Sequence, residues 1–336
     1  MTPNTRGAAL ALVAFAIFST HDVVVKYLGG SYSPVQIVFF SVLLGFPLVT
    51  LVMMRDATDG NLLPRHPWWT AIRTVAAVIT GLSAFYAFSV LPLAQVYAIL
   101  FAAPLLITVL AVPILGEKVR LRRGLAVLVG LAGVIIVLRP AQVELELGHI
   151  AALTAAVGGA LSSIIVRKIG ADERGVVLIL YPMMANFLFM ACLLPFVYQP
   201  MPLVDFAAVG VMALLALVGT FLVIMAYRSG EAVIIAPMQY SQILWATAFG
   251  FLLFGETVDL ATAVGAGVII ASGLYIVLRE GRSDASDNQP VLQTRSRPDF
   301  GTVPRVSTLV AEGDAAMDLN AAEGDRPGDS TTGDRP

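Results

Sequence analysis

The stretch LLITVLAVPILGE at residues 105–117 has a counterpart in LWATAFGFLLFGE at residues 244–256. Each is an apolar run that ends in Gly-Glu, and 139 residues separate the two Gly-Glu pairs. The next residues differ in charge, because KVRLRR follows the first pair and TVDLAT follows the second. Since cytoplasmic loops collect Lys and Arg, the comparison predicts a duplicated helical unit whose matching turns lie on opposite sides of a membrane.

Two further matches extend this repeat over the chain. Val137-Leu138-Arg139 recurs as Val277-Leu278-Arg279 at a shift of 140, and Lys26-Tyr27-Leu28 aligns with Arg167-Lys168-Ile169 at a shift of 141. A nearly constant shift indicates two copies of a five-helix unit, and an odd number of spans inverts the second copy. We therefore predict three regions: a first repeat at 1–140, an inverted second repeat at 141–280, and a disordered cytoplasmic tail at 281–336.

Composition places the repeats in a lipid bilayer. Of the 336 residues, 57% are apolar and 13% are charged, against about a quarter charged in soluble domains. The tail at 281–336 holds 16 of the 44 charged residues, and its Ser, Asp and Gly content is typical of disorder. The apolar runs are continuous and of helix-spanning length, which favours helices over barrel strands. We predict ten spans, at 7–28, 33–54, 70–90, 94–115, 122–138, 148–167, 175–198, 206–227, 232–254 and 261–279.

The distribution of basic residues predicts the orientation. Thirteen Lys and Arg fall on one side of this ten-span arrangement, whereas only Lys26 and Arg139 fall on the other. Both termini are therefore predicted to be cytoplasmic. No basic run suggests nucleic acid, and the single Cys192 excludes a disulfide framework and a Cys-based zinc site. No cofactor or metal is expected, and the absence of a phosphate-binding loop argues against ATP-driven pumping.

Asp22 is the strongest candidate for a functional residue. It lies about six residues from the outer end of the first span, where a carboxylate is costly and is usually turned inward for function. The alternative is a structural pair with Lys26 at i and i+4. The neighbouring His21 could line a cavity or bond a nearby helix. The second copy has Ser162 and Ser163 at the matching positions, so charge is confined to one copy.

Polar groups of the ninth and third spans complete the candidate site. Gln239 and Gln242 share a helix face, with Tyr240 and Trp245 around them, and such groups bind a polar, partly flat solute without adding charge. Their alternative role is hydrogen bonding between helices. Arg73 could meet a substrate anion or Asp22, or its side chain could extend to the lipid headgroups.

Two prolines are candidate hinges. Pro104 lies in the middle of the fourth predicted span, and Pro237 lies near the start of the ninth. Proline removes a backbone hydrogen bond and kinks a helix, which could provide flexible points for alternating access. A static kink is an equally good interpretation.

Three stretches together resemble the EamA-type drug/metabolite transporter superfamily. They are FSTHDVVVKYL at 18–28, FYAFSVLPLAQVYAILFAAPLLITVLAVPILGEKVRLRRGLAVLVGLAGVIIVLRP at 85–140, and AYRSGEAVIIAPMQYSQILWATAFGFLLFGE at 226–256. The resemblance implies a ten-helix carrier of small organic metabolites in a bacterial inner membrane. Many members carry Trp-Gly-Ser-Asn in the first helix. Phe18-Ser19-Thr20-His21 followed by Asp22 is instead similar to the branch with S-adenosylmethionine and riboflavin carriers.

The expected protein is thus an all-α integral membrane protein and a secondary-active transporter, not an enzyme. Its expected substrate is a small polar metabolite of a vitamin or nucleoside-like kind. An exporter of amino acids or drug-like metabolites is the alternative, and a channel or intramembrane enzyme fits the sequence less well. Its other partners are the lipid bilayer and, as a hypothesis, protons coupled through Asp22. The sequence leaves the oligomeric state open, with a homodimer as one option.

Overall fold

The computed structural model of the protein describes residues 3–53, 62–116, 121–139, 145–170 and 172–280, and within these ranges the regular structure is entirely helical. The predicted tail at 281–336 lies outside the described residues, as does Glu117. The helices are α1 (Pro3–Gly29), α2 (Pro34–Met53), α3 (Pro67–Val90), α4 (Leu93–Leu100), α5 (Ala103–Leu115), α6 (Leu121–Leu138), α7 (Leu147–Ile169), α8 (Gly175–Val197), α9 (Leu203–Ser229), α10 (Ala232–Ile235), a 3-10 helix (Ala236–Ser241), α11 (Gln242–Phe254) and α12 (Leu260–Glu280).

Seven helical segments among the described residues are long and apolar enough to cross a membrane. Two further apolar segments, Pro34–Pro47 and Leu260–Ile276, are shorter. The described chain is therefore an all-helical, multi-pass membrane protein. The count of ten spans stays a prediction.

The fourth and ninth predicted spans differ from the expected uninterrupted helices. The fourth breaks at Phe101 and Ala102 into α4 and α5, and the ninth is built from α10, the 3-10 helix and α11. Pro104 and Pro237 lie in the first positions of α5 and of the 3-10 helix, where a proline without an N–H is well tolerated. Both copies of the repeat are thus interrupted close to the prolines that the sequence singled out.

Gly116 and Gly255 end their helices in the same backbone conformation. Their φ angles of 73° and 66° lie in the left-handed region that glycine adopts without strain. After Gly255 the chain folds back, and the Glu256 N–H donates to the Gly250 carbonyl at 3.0 Å. The two quoted stretches therefore share a helix end as well as a sequence.

The most extensive helix contacts join one copy of the repeat to the other. They pair α1 with α9, α3 with α7, α6 with α12 and α2 with α8. In the second copy α7 corresponds to α1, and α9 corresponds to α3. The α1–α9 and α3–α7 contacts are therefore the same contact made in both directions, so the packing has the symmetry of the repeat. The two halves are intertwined and do not form two separate bundles.

We expect Gly265→Val to destabilise the protein by driving α6 and α12 apart. A Cβ on Gly265 would lie 2.7 Å from the Gly133 carbonyl oxygen and 2.5 Å from Cγ2 of Val137. Overpacking of this kind costs about 1–3 kcal/mol, which thermal unfolding in detergent would detect. Gly267→Val is the matched control, because a Cβ there meets nothing within 4 Å. Equal melting temperatures for the two variants would contradict the close contact.

Candidate functional site

A hydrogen-bonded network around Asp22 joins three helices inside the bundle. Asp22 is 1% exposed, and its Oδ1 lies 2.7 Å from His21 Nδ1. The Tyr97 hydroxyl donates to Asp22 Oδ2, and the same hydroxyl accepts a hydrogen bond from Gln242 Nε2 at 3.3 Å. The network therefore links α1 to α4 and α11, and so connects the two copies of the repeat through one carboxylate.

Tyr97 is the functional candidate that sequence reasoning missed. It is 3% exposed and stands in the middle of α4, between the two groups that the sequence did identify. A tyrosine hydroxyl in an apolar helix needs a polar partner, and this rule could have identified Tyr97 from the sequence. Its partner could not be chosen from the sequence, because Asp22 is distant along the chain.

Aromatic rings enclose this network. The His21 ring meets Phe85 edge-on with 6.2 Å between centroids, and Tyr97 packs against Phe88 at 5.5 Å and Phe101 at 5.9 Å. Phe101 in turn meets Tyr240 at 5.0 Å. The enclosure keeps the Asp22 carboxylate away from bulk water. In this low-dielectric interior its hydrogen bonds are stronger than in water, and they cost more free energy to lose.

The predicted residues of the ninth span divide into two groups. Gln242 is 3% exposed and joins the network, and the buried Tyr240 reaches it through Phe101. Gln239 is half-buried in the 3-10 helix, and Gln242 is the glutamine that contacts Tyr97. Trp245 lies apart from the network, because its side chain is 37% exposed and stacks on Phe249.

Arg73 lies neither at the lipid headgroups nor beside Asp22, and its predicted contact with a substrate anion stays a prediction. It is 1% exposed and its Nη1 donates to the Leu178 carbonyl of α8, so it does not extend to the lipid headgroups. It also lies far from Asp22. Phe85, which contacts His21, follows Arg73 by more than three turns, or about 18 Å along α3.

The suggested pair between Asp22 and Lys26 is also replaced. Lys26 Nζ lies 2.6 Å from Glu256 Oε1 and donates to the Leu91 carbonyl at 2.6 Å. Asp22 instead bonds His21 and Tyr97. In the second copy, Ser162 and Ser163 are buried in α7, and Ser163 Oγ donates to the Gly159 carbonyl at 2.7 Å. The charge of the site thus belongs to the first copy.

Comparison with known proteins points to membrane transport. The profile of the EamA-like transporter family matches the chain twice, at residues 5–139 and 146–278. The S-adenosylmethionine uptake transporter of Rickettsia bellii is 24% identical over 287 residues, which cover 82% of this chain and 95% of the relative. The pseudopaline exporter of Pseudomonas aeruginosa is 24% identical over 274 residues, with coverage of 79% and 94%. One solved crystal structure superposes with a TM-score of 0.57 at 18% identity, covers 83% of this chain and 99% of its own, and shows likeness of fold alone.

Proposed function

The chain belongs to the EamA-like transporter family, and we propose that it is a secondary-active carrier of a small polar organic metabolite in a bacterial inner membrane. The family matches confirm the resemblance inferred from the sequence, including the branch with S-adenosylmethionine carriers, and they identify a transporter rather than an enzyme. The observation that carries the proposal is the Asp22 carboxylate. It is buried where helices of both copies meet, and it accepts a hydrogen bond from the Tyr97 hydroxyl, to which Gln242 in turn donates.

The proposed topology has ten spans with both termini in the cytoplasm. It takes α4 with α5 as one interrupted span, and α10, the 3-10 helix and α11 as another. The Lys and Arg distribution and the odd number of spans in each copy support the inverted arrangement. In this orientation the turn that carries Glu256 faces the outside.

We propose that the moving units of alternating access are helix pairs rather than the two sequence halves. At one end of the α1–α9 contact, Tyr32 of the connection after α1 donates to the Asp205 carboxylate in the first turn of α9 at 2.6 Å, a bond that raises the pKa of Tyr32 to about 12. At the corresponding end of the α3–α7 contact, Glu173 of the connection after α7 accepts the N–H of His66, the residue before α3, at 3.0 Å. Each pair would therefore move as a unit, with the interruptions near Pro104 and Pro237 as hinges.

The proposed substrate contacts within or next to the network are Asp22, His21, Gln242, Tyr240 and the added Tyr97, and the contacts predicted for Gln239, Trp245 and Arg73 stay proposals outside it. A carboxylate, amide and phenol set among aromatic rings suits a flat polar metabolite. Two similar proteins are named for uptake of S-adenosylmethionine and for export of pseudopaline, so both compounds and both directions belong in the test. Asp22 is also the proposed proton-coupling group.

Transport by reconstituted vesicles tests this function. Metabolite profiling of cells with and without the gene would select compounds, with labelled S-adenosylmethionine as the first probe. We expect saturable uptake that is accelerated by the same unlabelled compound on the opposite side, because a carrier exchanges its substrate. Vesicles with the Gly267→Val variant are the matched positive control, since that change meets no neighbour within 4 Å. A flux that never saturates and shows no exchange would favour a channel.

A further inference from the structure

A second charged cluster lies at the end of the bundle where α11 finishes. Lys26 is at the end of α1, and its ammonium pairs with Glu256 and lies 5.5 Å from the centre of the Phe254 ring. The Lys26 and Glu256 side chains are only 11% and 16% exposed. A pair this well covered is less screened by salt than an exposed one.

Both members of this pair also bind the connection between α3 and α4. Lys26 Nζ donates to the Leu91 carbonyl at 2.6 Å, and Glu256 Oε2 accepts the Leu93 N–H at 3.0 Å. Leu91 and Leu93 flank Pro92, so two backbone groups of one short connection are held by one ion pair. The left-handed Gly255 makes this geometry possible, because it turns Glu256 back over α11.

These contacts cross the boundary between the proposed moving units. Lys26 belongs to the α1–α9 pair, and Glu256 follows the end of α11, which packs on both α1 and α4. The Leu91–Leu93 connection instead follows α3, which packs on α7. If α1 separates from α3 at this end, the bond from Lys26 to the Leu91 carbonyl must break.

The Lys26–Glu256 pair lies between the end of the bundle and the Asp22 network. Lys26 lies one turn from Asp22 on the same face of α1. A cavity of about 80 Å³, lined in part by Gln95, Thr247 and Glu256, lies beside the pair. The pair and the α3–α4 connection thus stand between this end of the bundle and the Asp22 network.

We propose that the Lys26–Glu256 pair and its two bonds to the α3–α4 connection form the gate that closes this end of the transport pathway. The proposal rests on the proposed carrier function. A fixed structural tether is the competing role, and the Arg139–Asp259 ion pair at the same end exemplifies it. That pair joins the end of α6 to the start of α12, two helices that already pack extensively together.

Thiol labelling of a buried reporter separates a gate from a tether. Ser19 is 1% exposed, lies one turn from Asp22 on α1, and differs from cysteine by one atom. In a Cys192→Ser background, Ser19→Cys would be treated with a membrane-impermeant maleimide from the Glu256 side. Labelling rate follows the population of the open state, so Glu256→Gln and Lys26→Met should each raise the rate about tenfold. Lys26→Arg should keep the slow rate, and Asp259→Asn should leave it unchanged.

Two results would overturn the gate. One is a labelling rate that does not respond to Glu256→Gln or Lys26→Met, and the other is an equal response to Asp259→Asn. Melting temperatures in detergent would show which variants fold. If Glu256→Gln does not fold, the labelling rates of Lys26→Met and Lys26→Arg are compared instead. Labelling needs no substrate, so the two proposals fail differently. A reporter that is never labelled from either face, in any variant, contradicts the carrier and the gate together, whereas side-dependent labelling that ignores the pair contradicts the gate alone.

Discussion

Asp22→Asn is expected to abolish substrate accumulation driven by a pH gradient while still allowing exchange of labelled for unlabelled substrate, at a higher half-saturation concentration because Asp22 is also a proposed substrate contact. Asparagine has the size of aspartate and can still accept the Tyr97 hydrogen bond, but it cannot bind and release a proton. Asp22 is the one buried helical carboxylate among the described residues, so no neighbouring acid in those helices would replace it. Vesicles with an imposed pH difference would measure both activities with the compound selected by profiling.

The matched control for this variant is Asp205→Asn. Asp205 is also a carboxylate that accepts a tyrosine hydroxyl, from Tyr32 at 2.6 Å, but it lies in the first turn of α9 and outside the network. We expect its vesicles to accumulate substrate normally. Normal accumulation by Asp22→Asn as well would show that transport is not coupled to protons through Asp22.

Tyr97→Phe is expected to lower the ratio of maximal rate to half-saturation concentration by about ten- to a hundredfold. The variant keeps the ring contacts with Phe88 and Phe101 and loses only the hydroxyl between Asp22 and Gln242. A hydrogen bond to a charged group contributes about 1.5–3 kcal/mol, which corresponds to that range of effect. Initial uptake rates over a range of substrate concentrations would measure it.

A double-mutant cycle tests whether Tyr97 acts within the network. Gln242→Ala alone should raise the half-saturation concentration, and the double variant should lose less than the sum of the single losses because both residues share the hydroxyl contact. Tyr27→Phe is the control, since Tyr27 is 61% exposed on the same helix as Asp22. If Tyr97→Phe behaves like Tyr27→Phe, the substrate site lies elsewhere.

The sequence predicted the features that depend on local chemistry. The Gly-Glu stretches indicated a repeat because glycine ends a helix in the left-handed conformation, and both glycines adopt it. Asp22 was identified because a carboxylate in an apolar helix is costly, and its side chain is buried as expected. Such rules need only a residue and its neighbours along the chain.

The sequence could not predict partners that come from distant helices. Asp22 was the nearest opposite charge to Lys26 along the chain, yet the fold brings Glu256 to Lys26 instead. Trp245 shares α11 with Gln242, but helix periodicity alone did not show that its ring faces outward. Arg73 bonds a backbone carbonyl of α8, and no side-chain pattern marks such an acceptor. These choices depend on how the two copies interlock.

If two five-helix units are inserted in opposite directions around one pathway, the turns that follow Gly116 and Gly255 lie on opposite faces of the membrane. Single cysteines would be placed at Lys118, just after the first Gly-Glu, and at Thr257, just after the second, in the Cys192→Ser background. An impermeant thiol reagent applied separately to each face of the membrane should label residue 118 only from the cytoplasmic side and residue 257 only from the outside. Labelling of both positions from the same face would contradict the inverted repeat.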